Sequence, residues 1–210
     1  MGQKYANITE AIISGDMAGV NELINLALEA GDDPGDILNI GMIPAMATVG
    51  NLFEQGEFYV PEMLISARAM QGGLDILRPL LQAGGIESAG MVIIGTVQGD
   101  LHDIGKNLVG LMLEGAGYEL TDLGTDVSPA DFVTAIKQHP NSLVALSALL
   151  TTTMTNMETT IKEIAAAGLR DQVKVIIGGA PVTQEYADDI GADGYAEDAS
   201  QAVKLAKSIL

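Results

Sequence analysis

Met91-Val-Ile-Ile-Gly-Thr-Val-Gln-Gly-Asp-Leu-His-Asp-Ile-Gly-Lys-Asn-Leu-Val-Gly110 decides how this chain is read. An apolar run, Val92-Ile-Ile94, suits a strand buried on both faces. A glycine-bearing loop follows, with His102 between Asp100 and Asp103, and then helical spacing begins. A strand that feeds a charged loop and then a helix puts polar groups at the carboxyl edge of a sheet, where open α/β folds hold their ligands.

Working outward, short β-rich runs recur at 91–97, 118–123, 143–148, 173–178 and 193–196. Helical segments fall between them at about 104–116, 129–139, 154–167, 183–190 and 198–209. Strict alternation implies a five-stranded parallel sheet covered on both faces over residues 90–210. Upstream, residues 1–85 read as helices with short breaks. Asp16 and Asp33 are placed to cap two of them, Pro34 opens one, and Pro44 should kink or split the third. In the fourth, Met63, Ala67, Met70, Leu74 and Leu77 share a face. Four helices on short loops make a small antiparallel bundle. Gln82-Ala-Gly-Gly-Ile-Glu-Ser-Ala-Gly90, small and aperiodic, is the expected boundary.

Composition narrows the function classes. The 210 residues are 48% hydrophobic, so a sizeable core is available. No cysteine is present, which removes disulfides, thiolate metal sites and a cysteine nucleophile. The balance of 28 acidic to 10 basic residues, net −18, repels a phosphate backbone and argues against nucleic acid. That acidity serves solubility or steers the chain toward a basic partner protein. No apolar run approaches the roughly 20 residues of a membrane span, and the first residues lack the apolar core of a signal peptide. A cytoplasmic protein is expected.

Three loops should gather on one sheet edge: Gly99–Gly105, Ser147–Met154 and Gly178–Pro181. Two readings fit the first. His102 is a loop histidine beside a helix-capping Asp103, or it is a metal ligand whose second ring nitrogen is held by Asp100. Zinc needs three or four protein ligands, and the only other histidine, His139, precedes Pro140 at a helix end. A metal on His102 must therefore bring most of its own ligands. A phosphate-binding loop fails because Asp100 stands where its first glycine belongs and Asn107 replaces the Ser/Thr. Hydroxyls of Thr151, Thr152 and Thr153 can cap the helix expected near Met154, although one cap does not need all three. Gly178-Gly179 is an ordinary turn, or a place where backbone approaches a flat ligand.

The combination Asp100-x-His102-x-x-Gly105, then Ser147-x-Leu149, then Gly178-Gly179 resembles the cobalamin-binding domains of the methionine synthase type. The likeness extends over Gly95–Val109 and Leu120-Thr-Asp-Leu-Gly124. Val49-Gly-Asn-Leu-Phe-Glu-Gln-Gly-Glu-Phe-Tyr-Val-Pro61 is similar to the helical cap module that precedes such domains, so nearly the whole chain is covered. A free-standing chain of this layout resembles the corrinoid protein of a methyltransferase system.

The resemblance implies an N-terminal four-helix bundle cap followed by a flavodoxin-like, doubly wound five-stranded parallel sheet. It implies a cobalamin or related corrinoid bound base-off, with His102 as the cobalt ligand and methylcobalamin as the carrier state. Asp100 would hold the far imidazole nitrogen, and Thr153 would extend the relay where the family has Ser. Gln98, Gly99, Asp103, Ile104 and Gly105 would contact the corrinoid. Ser147, Leu149 and Thr151 would line the slot for its nucleotide tail, with Gly178, Gly179 and Ala180 as the wall and Tyr195 near the end. Phe58, Tyr59, Val60 and Met63 would cover the upper face.

The implied partners are a substrate:corrinoid methyltransferase, a second methyltransferase with tetrahydrofolate or a thiol as acceptor, and a reductive activase. The chain alone would catalyse little. Two other classes share the signature. One is the small subunit of an adenosylcobalamin mutase, against which the bundle argues. The other is a B12-dependent sensor, which would need a DNA-binding segment.

Overall fold

The computed structural model describes residues 4–85 and 88–210. By its internal packing the chain divides into two compact units. The first runs through Ala89 and includes Glu114–Gly117; the second comprises Gly90–Leu113 and Tyr118–Leu210.

The first unit is helical: α1 (Ala6–Ile13), α2 (Met17–Glu29), α3 (Pro34–Asp36), a π-helical segment Ile37–Met42, α4 (Ile43–Glu54) and α5 (Val60–Ala83). Asp16 caps α2 by accepting from Gly19 N–H, and Asp33 caps α3 through Gly35 and Asp36 N–H, with Pro34 at the first helical position. Pro44 has no N–H to return to Ile40, and the helix answers with the wider π turn just before it. Thr9 of α1 donates its hydroxyl to the Gly41 carbonyl at 2.7 Å.

Helix α5 buries the expected face of Met63, Ala67, Met70, Leu74 and Leu77. It approaches its neighbours closely because Gly73 has no side chain; a Cβ there would stand 2.6 Å from Met42 Cε and 2.7 Å from Ile24 Cδ1. Because α5 continues to Ala83, the expected boundary segment starts as helix, and its residues 86 and 87 lie outside the described residues.

The helical stretch Pro34–Glu54 is long and apolar enough, by length and composition, to cross a membrane. Its π turn and its buried Ile37, Met42, Ala45, Met46 and Val49 show why those apolar residues are there: they are bundle core.

The second unit is a five-stranded parallel sheet, β1 (Met91–Thr96), β2 (Glu119–Asp122), β3 (Leu143–Ser147), β4 (Lys174–Gly178) and β5 (Gly194–Ala196), in the order β2-β1-β3-β4-β5. Its helices are α6 (Ile104–Gly115), α7 (Pro129–Gln138), α8 (Thr151–Ala166), α9 (Gln184–Ile190) and α10 (Ala199–Ile209). Ile93, Val144, Leu146, Val175 and Ile177 face one way, against Phe132 and Ile136 of α7 and Met157, Ile161 and Ile164 of α8. The alternating residues Val92, Ile94, Leu143, Ala145 and Ile176 are equally buried, so both sheet faces are covered. Burying a side chain such as Phe132 stabilises the unit by roughly 2–3 kcal/mol. Ser128 caps α7, as its position before Pro129 suggests, and Gly168 takes a left-handed conformation after α8.

This strand order reverses direction between β1 and β3. Loops leaving those two strands diverge to opposite faces and open a crevice, the ligand position of flavodoxin-type folds.

Candidate corrinoid site

Strands β1, β3, β4 and β5 are in register at their carboxyl ends, where Thr96 pairs with Ser147, Ser147 with Gly178, and Gly178 with Ala196. The loops that leave them therefore start at one level. The β1–α6 loop begins with a tight turn, Asp100 N–H to Val97 C=O at 3.1 Å, with Gly99 in the positive-φ position.

That turn drives Asp100 inward. Its carboxylate is fully buried. Oδ1 accepts from His102 N–H at 3.0 Å and lies 2.7 Å from His102 Nδ1. Oδ2 accepts from the Thr153 hydroxyl at 2.6 Å and from Leu149 N–H at 2.8 Å, with a longer contact from Leu150 N–H at 3.4 Å. Burial alone would raise this carboxyl's pKa. The hydrogen bonds from Thr153, Leu149 N–H and both donors of His102 outweigh it and hold the group well below the usual carboxylate range. Asp100 is thus ionised and acts only as an acceptor. The proton of His102 sits on Nδ1, leaving the Nε2 lone pair for a metal.

His102 itself is half exposed, at 51%. Around it the surface is apolar where a lone loop would be polar: Leu101 is 73% and Ile104 79% exposed, with Leu149 and Leu150 also on the surface. Gly105 opens α6 without any packing reason to be glycine, since a Cβ there would meet no protein atom within 4 Å. No group of three or more His, Asp or Glu side chains among the described residues could hold a metal ion. A metal that carries its own equatorial ligands in a flat apolar framework fits these residues; a bare ion does not.

The hydroxyl run takes a different role from the expected one. Helix α8 begins at Thr151, not near Met154, and Leu150 in the N-cap position makes no side-chain cap. Thr153 is consequently inside the first turn and buried. Its single hydroxyl proton has two acceptors in reach, Asp100 Oδ2 and the Leu150 carbonyl at 3.0 Å. Thr151 is exposed at the helix start, Leu149 is exposed, and Ser147 is half-buried at the end of β3. Gly179 owes its identity to the protein itself. With φ at +130°, it would carry a Cβ 1.9 Å from the Ala148 carbonyl oxygen. Its neighbour Ala180 is exposed.

Two expected site residues lie partly or wholly within the packing of their units. Tyr195 lies within β5, half-buried, and packs in part against the core between the sheet, α7 and α8. Met63 is completely buried in the helical unit and offers no surface, whereas Tyr59 and Val60 of that unit are exposed and Phe58 is half-buried. Asp103 precedes α6, as a cap would, but its carboxylate accepts from the Asn107 side-chain amide at 3.1 Å.

Several supports had no signal in the motif. Thr96, buried, donates its hydroxyl to the His102 carbonyl at 2.8 Å. Asn156 of α8 donates to the Gln98 carbonyl at 2.7 Å. The loop after β2 also joins this edge, with Asp126 accepting from Gly99 N–H at 2.7 Å. The one available clue was that any loop leaving a parallel strand between two helices ends on the same edge.

Fold and site together define a class: an α/β unit of flavodoxin-type strand order with a carboxylate-oriented histidine at its switch point, built to take a metal-bearing cofactor. Residues 90–204 match the B12 binding domain family, and residues 5–78 match a second family also described as a B12 binding domain. The chain is 44% identical over 207 residues to the trimethylamine corrinoid protein of Methanosarcina barkeri, covering 98% of this chain and 95% of that one. It is 42% identical over 206 residues to a corrinoid protein of Desulfitobacterium hafniense, covering 97% and 95%. The crystal structure of the methanol:cobalamin methyltransferase complex MtaBC from Methanosarcina barkeri superposes with a TM-score of 0.84 at 31% identity, covering 97% of this chain and 78% of that one. This chain belongs to the corrinoid-protein family, assembled from B12-binding domains.

Proposed function

We propose that the protein is a cytoplasmic methyl carrier that holds its corrinoid base-off, with His102 Nε2 as the lower cobalt ligand. The observation that carries the reading is the chain Thr153–Asp100–His102: a buried, ionised carboxylate holds Nδ1 of a half-exposed imidazole on an edge with exposed apolar side chains. Bound there, the corrinoid supplies a cobalt centre able to accept a methyl group from one protein and yield it to another.

The residues would perform distinct tasks around that centre. Asp100 would fix the orientation of the imidazole by holding its Nδ1, leaving Nε2 for cobalt. Thr153 keeps Asp100 an acceptor and can turn its own proton toward the Leu150 carbonyl when the carboxylate needs none. Leu101, Ile104, Leu149 and Leu150 exclude water from the lower face, while Gly105 leaves room for the macrocycle's edge. Ser147, Leu149, Thr151 and Gly178–Ala180 would border the cofactor's nucleotide tail.

The methyl donor we propose is a methylated amine, because relatives 42–44% identical over nearly the whole chain carry trimethylamine in their names. A substrate:corrinoid methyltransferase loads the carrier, a second methyltransferase unloads it to tetrahydrofolate or a thiol, and a reductive activase restores oxidised cobalt. The test is reconstitution of the full chain with hydroxocobalamin, followed by the absorption spectrum with and without His102→Ala. A base-off spectrum that changes with the substitution supports the reading. A spectrum with the cofactor's own base still on cobalt, indifferent to His102, refutes it.

A further inference from the structure

The His102 loop is held from outside by a segment that reaches past Leu120–Gly124 to Asp126 and Val127. Between β2 and α7, Leu123–Val127 runs alongside the end of β1. Leu123 N–H donates to Ile94 C=O at 2.8 Å, Thr96 N–H to Gly124 C=O at 2.9 Å, and Val127 N–H to Thr96 C=O at 3.0 Å. Its start is pinned by Asp122, which pairs with the buried ammonium of Lys106 and accepts from Gly124 N–H at 2.8 Å. Lys106 lies in the first turn of α6, just beyond the His102 loop. The segment therefore brackets that loop at its exit.

It also holds the loop at its entrance. Asp126 adopts φ 55°, a left-handed conformation that a non-glycine residue enters at a cost. From it, the side chain accepts from Gly99 N–H at 2.7 Å and the backbone N–H donates to Asp100 C=O at 2.9 Å. Both contacts fall on the turn that drives Asp100 inward. Asp126 is solvent-exposed, so burial does not account for it, and its carboxylate accepts a hydrogen bond from this turn.

We infer that Asp126 is a positioning residue for the axial ligand: it fixes the Gly99–Asp100 turn and thereby the reach of His102 toward cobalt. The inference rests on His102 being that ligand. Groups that orient a metal ligand through another residue are typically worth 10–100-fold in ligation, and Asp126 acts one step further away, so the lower end is expected.

The discriminating variant is Asp126→Gly. Glycine occupies φ 55° without strain, so the loop keeps its path and the fold its stability, while the contact to Gly99 N–H is lost. Asp126→Asn is the companion, since asparagine tolerates the same conformation and its amide oxygen still accepts from Gly99. Full-length protein is loaded with cobalamin, reduced to Co(II), and the fraction of cobalt bound by histidine is read by electron paramagnetic resonance. Gly99 amide exchange is followed in the cofactor-free protein.

Asp126→Gly is expected to weaken histidine ligation about tenfold and to speed Gly99 exchange with an unchanged or higher melting temperature. Asp126→Asn stays close to the parent in both. Equal ligation in the parent and Asp126→Gly overturns the inference while leaving His102 as ligand. Equal losses in the two variants also overturn it. A parent that shows no histidine on cobalt removes the underlying functional reading and this inference with it.

Discussion

The Thr153 hydroxyl oxygen lies 2.6 Å from Asp100 Oδ2, although 53 residues separate them in the chain. This contact joins the start of α8 to the β1–α6 loop and makes the histidine site a product of two strands, β1 and β3. It also gives a buried carboxylate a neutral donor in place of a cation. The charge of Asp100 is thus available to the imidazole alone.

Replacing Thr153 separates hydroxyl from shape. Thr153→Val keeps the volume and leaves Asp100 one donor short, which should cost about 1–3 kcal/mol in urea unfolding of the cofactor-free protein. Thr153→Ser restores the donor and should recover most of that loss. Equal stability for the Val variant and the parent would remove the hydroxyl from the relay.

Asp100→Asn puts an amide among donors. One end of that amide must point an N–H at Leu149 N–H and Thr153, or at His102. The expected result is a loss of about 1–3 kcal/mol of stability and of histidine ligation by 10–100-fold, read by denaturation and by cobalamin titration respectively.

Acid behaviour follows from the same carboxylate. Its folded-state pKa is depressed below the unfolded value, so its contribution to stability is complete above the ordinary carboxylate range near 4 and is lost as pH falls below that range. Melting temperature measured from pH 6 downward should drop less steeply in Asp100→Asn than in the parent. Parallel acid limbs would show that Asp100 carries no such linkage.

The two glycines at the edge should respond oppositely. Gly179→Ala forces a Cβ onto the Ala148 carbonyl at positive φ and should cost at least about 3 kcal/mol in the cofactor-free protein. Gly105→Ala meets no protein atom, and as a helix residue it should leave stability unchanged or raise it by up to about 1 kcal/mol. Its effect should appear only with cofactor, as about tenfold weaker cobalamin binding, ~1.4 kcal/mol.

Particular elements explain what the sequence does and does not disclose. Strands β1, β3 and β4 are buried on both faces, so their apolar runs are unbroken and their ends can be placed within a residue. Asp16, Asp33 and Ser128 act locally as caps, and local chemistry is legible. The start of α8 is not, because Thr151–Thr153 have the composition of caps while Thr153 is claimed by a carboxylate from another loop. Asp126 escapes notice for a similar reason: its role depends on a left-handed backbone and a partner 27 residues away. Tyr195 and Met63 enter the site through resemblance, and their side chains also pack, Tyr195 in part and Met63 fully, in their own units. The histidine motif was the reverse case, since its carboxylate and imidazole are two residues apart and the tight turn that joins them is signalled by Gly99.

The central claim is that His102, not the cofactor's own base, binds cobalt. The most direct measurement is the electron paramagnetic resonance spectrum of the Co(II)-loaded full chain grown with histidine carrying the heavy nitrogen isotope. With His102 on cobalt, the triplet superhyperfine splitting from the axial nitrogen collapses to a doublet, and His102→Ala abolishes it. A triplet that persists unchanged under labelling would place the cofactor's own nitrogen on the metal and contradict the account.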